Sequence, residues 1–280
     1  MTVADSIRVT DEGLTFTAQD FERVRALIYR RAGITLAASK QNMVYSRLTR
    51  RLRETGHRDF ASYLNSLESG SHEDWQAFVN ALTTNLTSFF REAYHFPMLA
   101  EHLRAQSGQG RQLSIWCSAA STGEEPYSLA ITAIEALGAR PSVRVFASDI
   151  DTDVLERARR GVYQASALEA LGGDRLQRFF LRGVRKHEGL VRVRPEVASL
   201  VTFGQVNLAE DNWPFREPFD VIFCRNVMIY FDSATKTAVL ERMHRFVRPG
   251  GLLFVGHSEN FSDRRDLFTL QGKTVYRRVG

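Results

Sequence analysis

Residues 117–128 read CSAASTGEEPYS. They follow the apolar run QLSIWC, which ends at Cys117, and lead into EEPYSLAITAIEAL, which has the length and composition of a helix. A short strand, a small-residue loop and a helix in immediate succession form the opening unit of a doubly wound parallel sheet. Ligands of such sheets bind at the carboxyl ends of the strands, so this loop bears on chemistry as well as fold.

The loop argues against a phosphate ligand. A dinucleotide site needs several glycines, because the backbone must approach a pyrophosphate closely and aim a helix N-terminus at it. Here Gly123 stands alone, Ser118, Ala119, Ala120, Ser121 and Thr122 occupy the other positions, and Glu124 and Glu125 put negative charge at the helix end. A ligand with a cationic group and hydroxyls but no phosphate suits it better, and S-adenosylmethionine has an ammonium, a sulfonium and a ribose. By itself the loop is equally compatible with a tight strand-to-helix turn carrying a solvated acidic first turn.

Outward from the loop the alternation continues. SVRVFASDI ends at Asp149 and Ile150, DTDVLERARRG reads as a helix, and FDVIFC, SATKTAVLERMHRFV and GGLLFVGH repeat the pattern. Asp149 falls where a doubly wound fold puts an acid for ribose hydroxyls, whereas Asp151 or Asp153 can be read as a helix N-cap. In FDVIFCRNVMIYF, residues 219–231, Arg225 and Asn226 close a buried strand and Tyr230 follows. A charge inside so apolar a run must reach a partner or water. It reads either as a structural ion pair or as a polar floor to a ligand pocket.

Upstream, residues to about 106 read as helices. Phe21, Val24, Leu27 and Ile28 recur at helical spacing before Gly33, and Val44, Leu48 and Leu52 recur every four residues between Ser39, a candidate N-cap, and Gly56. Arg47, Arg50, Arg51 and Arg53 occupy a separate arc, giving one buried stripe and one cationic face. From Phe21 to Phe60 ten basic residues face three acidic ones, a local +7 in a chain whose 37 basic and 32 acidic residues give +5. The basicity therefore belongs to one segment. NALTTNLTSFFRE, residues 80–92, ends the helical part with Asn85, Thr87 and Arg91 around Phe89 and Phe90; these polar groups read as helix caps or as part of a site.

One stretch breaks the alternation. FFLRGVRKHEGLVRVRPEVASLVTFGQV interleaves Val191 and Val193 with Arg192 and Arg194, then adds a strand-like run from Leu200. This period of two predicts a small antiparallel insert. Cys117 and Cys224 sit in apolar runs and read as reduced, packed thiols rather than a disulfide or metal pair. MTVADSIRVTDEG has no apolar leader core, and no stretch approaches 18 uninterrupted apolar residues. A cytoplasmic protein is expected.

Taken in order, TTNLTSFFRE, SAASTGEEPYSLAI, ASDIDTDVLE, FCRNVMIYFD and GHSENF resemble the chemotaxis-receptor methyltransferases, the CheR family of S-adenosylmethionine-dependent protein-glutamate O-methyltransferases. The likeness runs from LIYRRAGI to QGKTVY. It implies an α/β fold: a Rossmann-like methyltransferase domain over 91–280 with a small antiparallel β-insert at about 181–206, preceded by an all-helical basic domain over 1–90. In that family's cofactor site, Asn85 and Thr87 would reach the methionine and sulfonium end, with Arg91 close to the transferred methyl. Glu125 would bind the amino-acid end, Asp149 the ribose, and Asn207 and Leu208 the adenine; Arg225, Asn226 and Tyr230 would complete the wall. Arg91 and Tyr230 are the candidates for orienting the acceptor carboxylate.

The resemblance further implies that the Arg47 to Arg53 face docks on acidic methylation helices of methyl-accepting receptors. A C-terminal receptor pentapeptide engages the insert in some members, whereas the turn RGVRKHEG here has few glycines. The enzyme would act as a monomer, recruited to membrane-bound receptor arrays, and release S-adenosylhomocysteine. A nucleic-acid methyltransferase with a basic docking helix is the alternative, but no Asn/Asp-Pro-Pro-aromatic motif of base N-methylation occurs, and Cys224 lacks a preceding proline. A non-catalytic scaffold is disfavoured because every carried-over position holds a suitable residue. GHSEN fails as a nucleophile elbow at Asn260, and the seven histidines lack metal-ligand spacing.

Overall fold

The computed structural model describes residues 14–108 and 110–280, so the reading of residues 1–13 lies outside it. The chain forms two compact units. One runs through Thr84 and takes in Tyr230–Thr235; the other comprises Asn85–Ile229 and Lys236–Gly280.

The first unit contains helices α1 (Ala18–Ala32), α2 (Gln41–Thr55), α3 (Phe60–Glu68) and α4 (His72–Leu82). Capping boxes at Thr17 with Asp20 and at Ser71 with Asp74 start α1 and α4, satisfying N–H groups that a helix start leaves without partners. The stripe Val44, Leu48 and Leu52 is fully buried, as the spacing predicts. Ser39 does not cap α2. It lies within a 3-10 turn, Ala38–Lys40, that runs straight into the helix, leaving Lys40 at the N-cap position without a side-chain bond. The chain enters already coiled, so no extended residue remains to fold a hydroxyl back.

In the second unit α5 (His95–Gln106) precedes β1 (Leu113–Cys117), α6 (Glu124–Leu137), β2 (Val143–Asp149), α7 (Thr152–Arg160) and β3 (Val162–Gln164). Then come α8 (Gly173–Phe179), β4 (Phe180–Arg182), β5 (Leu190–Val193), α9 (Pro195–Ala198), β6 (Val201–Gln205) and β7 (Phe219–Cys224). The remaining elements are α10 (Ser233–Phe246), β8 (Val247–Val255), β9 (Phe268–Gly272) and β10 (Val275–Arg278).

Seven strands form one sheet in the order β6-β2-β1-β7-β8-β10-β9. The five from β6 to β8 pair in parallel, and β10 runs antiparallel to both β8 and β9. Every residue of β1 and β7 is buried, which explains their uninterrupted apolar runs: central parallel strands are covered on both faces. One face of the sheet packs Leu99 and Leu103 of α5 with Leu129 and Ala133 of α6.

The antiparallel insert has other limits than its sequence period implied. Its strands are β3, β4 and β5 in the order β3-β5-β4, whereas the run from Leu200 becomes β6 and pairs in parallel with β2, Val145 opposite Val201 through Asp149 opposite Gln205. The short turn α9, opened by Pro195, redirects the chain from the insert to the large sheet. Strand β3 is three residues long, too short for its alternation to be legible.

The residues from Asn85 to Phe90 group with the second unit, whereas the resemblance implies a boundary at residue 90. Tertiary contacts decide this: Phe89 packs edge-on against Tyr163 of β3 at 5.0 Å and Phe180 of β4 at 5.4 Å.

Candidate active site

Strand β1 is where the sheet order turns: β2 and β6 lie to one side, β7 and β8 to the other. The crevice beyond the carboxyl ends of β1 and β7 is therefore the topological switch point, the usual ligand position in open α/β sheets. The loop after β1, the turn after β7 and Asp149 at the end of β2 all open there.

The loop after β1 is tightly held. Ser118 N–H donates to Phe223 O at 2.9 Å, and Ala120 N–H to Ser148 O at 2.8 Å. Ser121, in the left-handed region at φ 47°, donates its N–H to Asp149 Oδ2 at 2.8 Å and its hydroxyl to Asn85 O at 2.9 Å. Gly123 has φ 102°, and a Cβ on it would lie 2.7 Å from the Tyr163 hydroxyl and 3.0 Å from Ala158 Cβ. This explains the loop's single glycine: it is required where α7 and the small sheet press on the helix start. Tyr163 in turn donates to Thr122 O at 2.8 Å, so the insert braces the loop.

Asp149 is buried and also accepts from Asp151 N–H at 3.0 Å. Burial pushes its carboxyl up to about 6, against the pull of those two backbone donors. Asp151 caps α7 through Asp153 and Val154 N–H, and its other oxygen accepts from the Asn85 amide at 2.8 Å. Of Asp151 and Asp153, Asp151 is the N-cap, and it is also tied to Asn85.

Glu125, in the first turn of α6, accepts from Arg225 at 2.8 Å and from the Cys117 thiol at 3.2 Å. Burial raises its carboxyl, and the Arg225 guanidinium only partly offsets this. Arg225 is almost wholly enclosed, and it also meets Glu92 at 3.3 Å and donates to Arg91 O. Of the two sequence readings of Arg225, the structure shows the ion pair. Arg91 itself donates to Leu86 O at 3.0 Å, and Thr87 beside it is half-buried.

Asn226 adopts φ 58° and donates its side-chain amide to Glu92 at 3.3 Å. Its turn is fixed by a residue that sequence reasoning gave no role. The buried Glu259 carboxylate accepts the N–H groups of Asn226, Val227, Met228 and Gly256 at 2.6 to 3.1 Å. A Cβ at Gly256 would approach Asn226 Nδ2 to 2.4 Å, so glycine is needed there. The available signal was GHSENF itself, an acid three residues past a glycine at the end of an apolar strand. Asn207 and Leu208 follow β6; Asn207 O accepts from Trp213 Nε1 at 3.2 Å and Leu208 O from the buried Arg242 at 3.0 Å.

Tyr230 groups with the first unit, where its carbonyl accepts from Thr35 N–H at 2.7 Å and Thr35 hydroxyl at 2.8 Å. In that unit the four arginines of α2 are not equivalent. Arg47 turns inward to the carbonyls of Leu82, at 3.1 Å, and Thr83, at 2.6 Å. Arg50 and Arg51 both pair with Glu54, Arg50 being 84% exposed, and Arg53 is exposed. The cationic face is thus narrower than its helical arc.

Among the described residues no group of three or more His, Cys, Asp or Glu could hold a metal ion, and no helix is long and apolar enough to cross a membrane. Cys117 and Cys224 are buried free thiols, and burial raises both.

A parallel sheet with acids at the switch point and a single glycine in the loop after β1 is compatible with the fold of S-adenosylmethionine-dependent methyltransferases. The donor set fits that molecule: Glu125 and Asp149 offer acceptors to cationic and hydroxyl groups and would repel phosphate. The model of the CheR methyltransferase SAM binding domain matches residues 85–277, and that of the CheR methyltransferase all-alpha domain matches residues 19–83. The chain is 55% identical over 267 residues to the chemotaxis protein methyltransferase of Escherichia coli strain K12, covering 95% of this chain and 92% of that protein. It is 56% identical to that of Salmonella typhimurium strain LT2, covering 94% and 91%. Against chemotaxis protein methyltransferase 2 of Pseudomonas aeruginosa strain PAO1 it is 53% identical, covering 93% of each. This chain belongs to the CheR methyltransferase family.

Proposed function

We propose that the protein transfers a methyl group from S-adenosylmethionine to glutamate side-chain carboxylates of methyl-accepting chemotaxis receptors, forming glutamyl methyl esters. The observation that carries the reading is the meeting, at one switch point, of Asn85, Arg91, Glu125, Asp149, Arg225 and Asn226, each from a motif of the family.

S-adenosylmethionine supplies an activated methyl on a sulfonium. A glutamate acceptor has a reference pKa near 4.3 and is already ionised at neutral pH, so no strong general base is required. What remains for the protein is alignment, which can lower a barrier by about 7 to 11 kcal/mol. Asp149 would hold the ribose hydroxyls, Glu125 the amino-acid end, Asn85 and Thr87 the methionine and sulfonium end, and Asn207 and Leu208 the adenine. Arg91 orients the acceptor carboxylate without neutralising it, since too close an ion pair would blunt the nucleophile.

The exposed Arg50 and Arg53 dock the acidic methylation helix, and the β-insert offers a second contact for a receptor C-terminus. The enzyme works as a monomer in the cytoplasm, at receptor arrays. Arg91→Ala should abolish most transfer with an unchanged unfolding transition; full activity in that variant would remove Arg91 from the reaction.

A further inference from the structure

The turn that carries Arg91 is strained. Phe90 and Glu92, on either side of it, both sit in the left-handed region, at φ 53° and 55°, where side-chain-bearing residues pay about 1 kcal/mol or more each. Such a turn persists only where its surroundings hold it. The Phe90 N–H donates to Ser128 Oγ at 3.0 Å, the Phe90 ring packs on Phe96 at 4.7 Å, and Arg225 binds the Arg91 carbonyl. These fix the near side and the peak of the turn. On the far side the His95 N–H donates to the Glu92 carbonyl at 3.1 Å, and the Glu92 carboxylate makes the contacts that reach outside the segment.

The Glu92 carboxylate is 8% exposed and gathers groups from two other segments, the turns after β7 and β8, besides Tyr94 of its own. Oε2 meets Arg225 at 3.3 Å and accepts from the Tyr94 hydroxyl at 3.2 Å. Oε1 accepts from the Asn226 amide at 3.3 Å and faces His257 Nδ1 at 3.1 Å. A carboxylate only accepts, so Nδ1 of His257 carries the proton in this contact. On its other side His257 Nε2 lies 3.0 Å from the Ser258 hydroxyl.

We infer that Glu92 is a positioning residue for methyl transfer: by drawing Arg225, Asn226 and His257 onto one carboxylate, it locks the strained turn that presents Arg91. The role uses GHSENF through His257 and joins the turn after β7 to the segment that opens the second unit. Glu92 touches neither substrate nor cofactor in this scheme; it acts through Arg91. The inference rests on the reading that Arg91 faces the transferred methyl.

The test measures kcat on receptor-bearing membranes, cofactor Kd by calorimetry and the melting temperature for Glu92→Gln, Glu92→Asp and Arg91→Ala. Glu92→Gln keeps the shape of the side chain and loses its charge. It should lower kcat about tenfold or more while cofactor Kd stays within about twofold, and Glu92→Asp should recover part of the rate. A purely structural role would instead move Kd and melting temperature together with kcat, and that pattern overturns the inference. Loss of activity in Arg91→Ala with full kcat in Glu92→Gln overturns it too, leaving the reading of Arg91 intact. Full activity in Arg91→Ala removes that reading and the inference together. Should Glu92→Gln fail to fold, His257→Ala carries the test: its ring is 65% exposed, so the fold should survive while kcat falls about twofold to fivefold, and an unchanged kcat overturns the inference.

Discussion

Arg225 and Glu125, one hundred residues apart in the chain, share a 2.8 Å ion pair between the end of β7 and the first turn of α6. Both side chains are buried, so their charges answer mainly to each other and to Glu92. The pair sets the electrostatics of the crevice, because a second carboxylate on one guanidinium leaves the triad net negative.

Glu125→Gln tests the pair. Arg225 would keep Glu92 but lose its closer partner, so stability should fall by about 1–3 kcal/mol, the range for disturbing a buried hydrogen bond to a charged group. Urea unfolding with and without the variant reads this directly. A neutral effect would mean that Glu125 serves the ligand rather than Arg225.

Asp149 predicts a pH dependence with opposite signs for folding and binding. Its carboxyl stands at about 6 against an ordinary 3.8, chiefly because it is buried. A raised carboxylate pKa favours the folded state while the group is protonated, so this contribution is full below about pH 4 and is lost as pH rises through 6. In the proposed role Asp149 would accept the ribose hydroxyls in its ionised form. Affinity for S-adenosylmethionine should therefore weaken as pH falls below 6, approaching tenfold per unit, and calorimetry from pH 7.5 to 5 should show it. In Asp149→Asn the affinity should be lower and nearly flat with pH.

Tyr163 links the small sheet to the loop after β1, which in the proposed function holds the cofactor. Tyr163→Phe removes the bond to Thr122 O and should weaken cofactor binding about threefold to fivefold, the equivalent of roughly 1 kcal/mol. Isothermal titration would detect that shift, and an unchanged Kd would mean the loop holds itself.

The arginines of α2 separate into two roles. Arg50→Glu with Arg53→Glu should raise the apparent KM for receptor, most strongly at low salt. Arg47→Ala should leave that KM nearly unchanged and instead cost about 1 kcal/mol of stability, because Arg47 binds the last carbonyls of α4.

The parts of this architecture that repeat a local rule were legible in the sequence. The β1-loop-α6 unit was readable because buried parallel strands are continuous apolar runs, and Asp149 because its position follows from the strand end. The limits of the insert were not, because β3 is three residues long and α9 diverts the next strand to the large sheet. Arg225 was recognisable as a charge needing a partner, but its partners lie 100 and 133 residues away, beyond any local pattern. Glu92 and Glu259 were missed for the same reason: their work is to collect donors from segments that only the fold brings together.

The central claim is the chemistry of the bond formed. Incubation with methyl-labelled S-adenosylmethionine and membranes bearing candidate receptors, followed by mild base, tests it most directly. The account predicts label on receptor protein that base releases as volatile methanol, as a glutamyl methyl ester must. Base-stable label on protein, or label transferred to RNA, would contradict it.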